Sequence, residues 1–144
     1  MINRRALISW CLYDWANSAF PTVIITFVFA TYYTSSVAAD KVIGTAHWGY
    51  TMSLSALAVA IAAPVFGAIA DKGGGRKPWL GFFTTLCIIL SSVLWLVEPD
   101  PSFALLALIA VGLANFAFET GMVFYNAMLP GLGPQSHIGR ISGW

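Results

Sequence analysis

Asp14 and Asn17 lie one helical turn apart inside the apolar stretch CLYDWANSAFP, and Asn115, Glu119 and Asn126 recur at spacings of four and seven in a second apolar stretch. Such spacings return a side chain to one stripe of an α-helix. Ser18, Pro21 and Thr22 continue the first stripe, and Gly112 begins the second. A carboxyl can exchange a proton or hold an ammonium group, and a carboxamide both donates and accepts hydrogen bonds. Asp14, Asn17, Asn115, Glu119 and Asn126 are therefore the candidates for binding a small polar solute or a proton.

The elements that carry them belong to a membrane protein. Of 144 residues, 58% are hydrophobic and 9% are charged, against roughly a quarter charged in ordinary soluble domains. Four stretches can cross a hydrocarbon core as helices, at residues 7–36, 48–70, 79–97 and 103–128, which makes the fold class all-α and polytopic. The polar turn AADKVIGTAH, the basic turn DKGGGRKP and the proline-marked turn EPDPS separate them. The first stretch follows Arg4 and Arg5 as a secretory signal would, but it is too long, and Asp14 interrupts it early, so it reads as a retained helix. Arg4, Arg5, Lys72, Arg76, Lys77 and Arg140 fall on one side of this topology and Lys41 alone on the other. The positive-inside rule then puts both ends of the chain in the cytoplasm. Trp10, Trp48, Trp79 and Trp95 fall near the expected helix ends, as an aromatic belt would have them.

Asp14 then lies ~10 Å beyond the cytoplasmic start of the first helix, and Glu119 ~24 Å into a helix that descends from outside through a ~30 Å core. Both carboxyls are expected in the cytoplasmic leaflet. A charge at the bilayer centre costs about 2.5 to 3.5 kcal/mol, so three arrangements are open: snorkelling, an aqueous cavity, or basic partners on helices beyond this chain. The accompanying asparagines favour the cavity. The second helix is rich in alanine, with Ser53, Ser55 and Gly67, and suits close packing, whereas the bulky third reads as lipid-facing.

Other chemistry finds no support. Cys11 and Cys87 read as small buried thiols, and they have no CxxC or Cys/His spacing for a metal. His47 and His137 lie beside helix ends without ligand-type neighbours. Gly73, Gly74 and Gly75 lack the strand that precedes a phosphate-binding loop, and seven Lys and Arg in total give no clustered basic face for nucleic acid. No nucleophile, base and orienting group come together, so the chain is not expected to be an enzyme or to need a cofactor.

At the second turn, Asp71 ends a helix where the macrodipole disfavours an acid by roughly 0.3 to 1 kcal/mol, so it calls for a positive partner such as Lys72, Arg76 or Lys77. Gly67, Asp71, Gly74, Arg76 and Lys77 resemble the signature between helices two and three of the major facilitator superfamily. YDWANSAFPTVI, GAIADKGGGRKPW, FYNAMLPGLGP and GRISGW resemble its vacuolar-effluxer-like branch. Gly75 departs from the signature, standing where its first basic residue usually falls. The resemblance implies a twelve-helix secondary transporter with alternating access, of which this chain is an N-terminal fragment supplying helices one to four, with a fifth starting near 140–144. It implies that helices one and four line a central cavity while helix three lies outside. It also implies that Gly67, Asp71, Gly74, Arg76 and Lys77 latch the cytoplasmic side through a helix of the other half. Fungal relatives are associated with amino-acid efflux, so the expected solute is an amino acid or similar small molecule, with proton coupling, in a prokaryotic cytoplasmic membrane. The expected partners are the bilayer, that solute and the remaining helices of the same polypeptide. Two alternatives stand beside this reading: a small four-helix exporter working as a dimer, and a non-transporting membrane scaffold or assembly subunit.

Overall fold

The computed structural model describes residues 4–71 and 75–131. Those residues form four helical spans long and apolar enough to cross a membrane, Arg4–Val37, Lys41–Asp71, Arg76–Leu96 and Pro101–Gly131. The expected start of a fifth helix at 140–144 lies outside the described residues, as do Lys72, Gly74, His137 and Arg140.

The second span differs most from its expected bounds. It begins at Lys41 instead of Trp48, and AADKVIGTAH is a turn only up to Asp40. The Asp40 carboxylate accepts hydrogen bonds from the backbone N–H of Val42 and Ile43 at 2.9 and 3.0 Å, and so caps a helix that the hydropathy pattern starts too late. The hairpin into it is tight, because a Cβ on Gly44 would overlap the Ala38 side chain. The fourth span starts in the same way, with Asp100 accepting from Ser102 N at 2.8 Å and Pro101 in the first turn, where its missing N–H costs nothing.

The fourth span is the hub. Its buried face runs through Ala107, Ala110, Val111, Ala114, Ala117, Gly121 and Phe124, and small residues there let the neighbouring helices approach closely. The third span packs Leu80, Phe83 and Cys87 against it, while Phe82, Ile88 and Ile89 stay exposed. The bulky third helix thus leaves one of its sides exposed and packs the other. Trp79 lies on its packed side, stacked on Phe124 at 5.8 Å, and Trp10 and Trp48 are likewise taken up by interhelical ring contacts. Trp95 stands free at 91% exposure.

The first span changes character along its length. It is α-helical at Arg4–Asn17, π-helical at Phe20–Phe27, α-helical at Val28–Tyr32 and π-helical again at Tyr33–Val37. Its C-terminal part is anchored, with Phe29, Tyr33 and Val37 buried in a cluster with Leu94, Val97 and Ala107.

Candidate functional site

The first and fourth spans run antiparallel in a register set by side chains. Trp10 stacks on Tyr125 with ring centroids 4.5 Å apart and planes 7° apart, and Phe20 meets Phe118 at 5.0 Å. Between those contacts Asn17 Nδ2 donates to Met122 Sδ at 3.2 Å. Trp10 Nε1 donates to Tyr125 O, and Tyr125 Oη returns a bond to Trp10 O at 3.1 Å. Asp14, between Trp10 and Asn17, is therefore level with the residues around Tyr125, and Glu119 lies next to Phe118. The two acids are offset by roughly 5 to 10 Å along the axis, at ~5.4 Å per turn.

Helical geometry also fixes which way each acid points. On the first span, Tyr13 reaches the third span through a 2.7 Å hydroxyl bond to Thr84, while Trp10 and Asn17 meet the fourth. Asp14, about 100° around from Tyr13, lies on the opposite flank. On the fourth span, Met122 and Phe118 meet the first span, and Gly121 and Phe124 meet Phe83 of the third. Glu119 is two residues from Gly121, about 200° around, and points away from the third span. Asn115 and Asn126 lie within about 40° of Glu119. Asp14, Asn115, Glu119 and Asn126 thus share the side of the bundle that faces away from the third span. Asp14, Glu119 and Asn126 are exposed there.

Asn115 and Asn17 have partners. Asn115 Nδ2 donates to Ser55 Oγ at 3.0 Å, and Ser55 in turn donates to Gly112 O at 3.0 Å, which joins the second and fourth spans. Asn17 faces Met122 and the edge of a recess of about 1020 Å³ between the first and third spans. A second recess of about 540 Å³ lies between the second and fourth spans near Ser55 and Gly112. Neither recess is lined by Asp14 or Glu119, and both side chains are exposed outside them. The Asp14 carboxylate lies close enough to Tyr125 Oη to interact with it, whereas Glu119 has no partner among the described residues.

At the turn between the second and third spans the expected ion pair between Asp71 and Arg76 or Lys77 is absent among the described residues. Arg76 instead donates from Nε to Ala70 O at 2.7 Å and from Nη1 to Ala127 O at 2.8 Å. Gly75, at φ +87°, turns the chain so that the guanidinium falls beneath the ends of the second and fourth spans. The last carbonyls of a helix lack intrahelical donors and carry its negative dipole, and here two such ends converge on one half-buried cation, while Asp71 stays exposed in solvent. Lys77 is exposed, and a Cβ on Gly67 would meet open space. Gly74 lies outside the described residues.

Sequence reasoning missed the clip made by Arg76 and the Trp10–Tyr125, Tyr13–Thr84 and Ser55–Gly112 contacts. Only Ser55 offered a signal, as a hydroxyl in an alanine-rich helix; the others depend on which helices become neighbours.

The family model described as "Vacuole effluxer Atg22 like" matches residues 2–140. A Bacillus subtilis (strain 168) protein named "Uncharacterized MFS-type transporter YxiO" is 34% identical over 137 residues, which are 93% of this chain and 32% of that relative. The chain therefore spans about a third of the relative's length. No solved structure matches the chain. With its four apolar spans and a match over almost its whole length, the chain is a multi-pass membrane protein that belongs to the Atg22-like vacuole effluxer family of MFS-type transporters.

Proposed function

We propose that this chain is the N-terminal part of a secondary active transporter that moves a small solute by alternating access, with amino acids as the solute class and protons as the coupling ion. The observation that carries this reading is the shared orientation of Asp14 and Glu119, which turn to one open side of the bundle and away from the third span, with Asn115 and Asn126 beside them. Two carboxyls at membrane depth are tolerated where they border water or a polar solute, and such residues mark solute and proton paths in membrane proteins. Asp14 and Glu119 exchange protons and hold the solute's ammonium group, while the asparagines orient its remaining polar groups. Trp10, Tyr13 and Tyr125 hold the first span against its neighbours.

Asp71 has no ion-pair partner among the described residues, Arg76 being spent on the two carbonyls, and engages a helix of the other half. In this reading Gly67, Asp71, Gly74 and Lys77 present the cytoplasmic latch, and Arg76 holds the helix ends that carry it. The test is uptake of a panel of radiolabelled amino acids into proteoliposomes of the full-length protein, with and without an inwardly directed proton gradient. Gradient-driven uptake that is lost in Asp14→Asn and Glu119→Gln is the expected result. Uptake and pH dependence unchanged in the double variant would overturn the assignment of the acids.

A further inference from the structure

The first span carries two separate observations that converge on one segment. The first is its ladder. The α-helix breaks at Ser18 and resumes as the π-helical segment Phe20–Phe27, in which Val28 N–H reaches back five residues to Val23 O. Pro21 removes one backbone donor, and three hydroxyls bond back onto carbonyls of the same stretch, two of which, Asp14 O and Ser18 O, are shared with backbone N–H groups at 3.0 and 3.4 Å. Ser18 Oγ donates to Asp14 O at 2.9 Å, Thr22 Oγ1 to Ser18 O at 2.8 Å and Thr26 Oγ1 to Pro21 O at 2.9 Å. Back-bonding of this kind competes with the backbone ladder and bends helices. Proline alone does not account for the break, because Pro64 sits inside the uninterrupted helix Lys41–Asp71.

The second observation is the unequal anchoring of the two sides of that break. No residue is buried in Arg4–Asn17 or in Phe20–Phe27. The cytoplasmic segment is held by the tips of long side chains, Trp10 on Tyr125, Tyr13 on Thr84 and Asn17 on Met122. The outer segment is held by buried Phe29, Tyr33 and Val37, and by a 2.9 Å bond from Tyr32 Oη to Val97 O. Side-chain tips can change partners without opening a packed core, whereas the outer contacts cannot.

We propose that residues 18–26 are a hinge, about which the cytoplasmic segment Arg4–Asn17 swings against the fourth span while residues 29–37 stay fixed. The swing carries Asp14 and Asn17 relative to Glu119, so the separation of the two carboxyls changes with the state of the molecule. That consequence rests on the transporter reading above; the hinge itself does not.

Spin labels on the full-length protein in nanodiscs test it, in a background whose native cysteines are replaced. One pair, at Ile8→Cys and Pro130→Cys, spans the cytoplasmic ends of the first and fourth spans, and a second, at Thr31→Cys and Trp95→Cys, spans the outer ends of the first and third. The expected result is a distance distribution with two maxima for the inner pair and a single narrow maximum for the outer pair. Pro21→Ala, alone and with Thr26→Val, restores a regular ladder and collapses the inner distribution to one maximum. A single narrow inner distance in the unsubstituted protein, or two maxima that persist in both variants, would overturn the hinge. Because no transport is needed for this readout, the outcomes separate. Uptake by a protein with one inner distance sinks the hinge alone, and two inner distances in a protein that moves no solute sink the transporter reading alone.

Discussion

Arg76→Ala removes a guanidinium that bonds Ala70 O at 2.7 Å and Ala127 O at 2.8 Å. Hydrogen bonds to charged groups contribute about 1.5 to 3 kcal/mol each when dry. Arg76 is half-buried at the end of a span, so water replaces part of the loss, and about 1.5 to 3 kcal/mol for the two bonds together is the expected cost. Arg76→Lys keeps the charge but lacks the planar fork, reaches one carbonyl and loses about half as much. The assay is SDS-driven unfolding of the full-length protein in mixed micelles, followed by tryptophan fluorescence. A double-mutant cycle with Asp71→Asn separates carbonyl capping from an ion pair. Capping predicts additivity within about 0.3 to 0.5 kcal/mol. An Arg76→Ala cost that disappears once Asp71 is neutralised would refute the capping geometry and restore the ion pair expected from the sequence.

Three further outcomes follow from the helix contacts and caps. Ser55→Ala deletes both bonds of the Asn115–Ser55–Gly112 bridge and should destabilise by about 1 kcal/mol in the same unfolding assay, given ~0.6 kcal/mol for an average interhelical hydrogen bond in lipid. Gly112→Val should cost about 1 to 3 kcal/mol, because a Cβ there stands 3.0 Å from Thr51 Cγ2, and Gly112→Ala should cost less. Hydrogen bonds from Ser102 hold the Asp100 carboxyl below its ordinary value of 3.8, so its cap stabilises the fourth span above that pH and is lost as the pH falls below it. Amide exchange at residues 102–106 should accelerate only under that acid condition in the native chain, and at neutral pH in Asp100→Ala.

The number of spans and their rough positions were legible because hydropathy over about twenty residues is a property of the chain itself. So was the polar stripe of the fourth span, since Asn115, Glu119 and Asn126 repeat at helical spacing whatever surrounds them. The start of the second span was readable in principle, for Asp40 is a helix-capping residue directly before Lys41, but the polar residues after it resembled a loop. The partner of Arg76 was not readable, because the carbonyls it binds belong to two helices whose neighbourhood is a tertiary fact. Charge alone suggested Asp71, and the convergence of two helix dipoles outweighed it. The wide turns at Phe20–Phe27 left a trace in Ser18, Pro21, Thr22 and Thr26, though Pro64 shows that a proline by itself does not predict them.

The central claim is that Asp14 and Glu119 border water at membrane depth, and reaction of substituted cysteines with a charged, membrane-impermeant thiol reagent tests it most directly. In the full-length protein, cysteines at positions 14 and 119 should be modified at comparable rates, while one at Phe82, on the exposed side of the third span, should resist. Resistance at both acidic positions matching that at Phe82 would place the carboxyls against lipid and contradict the account.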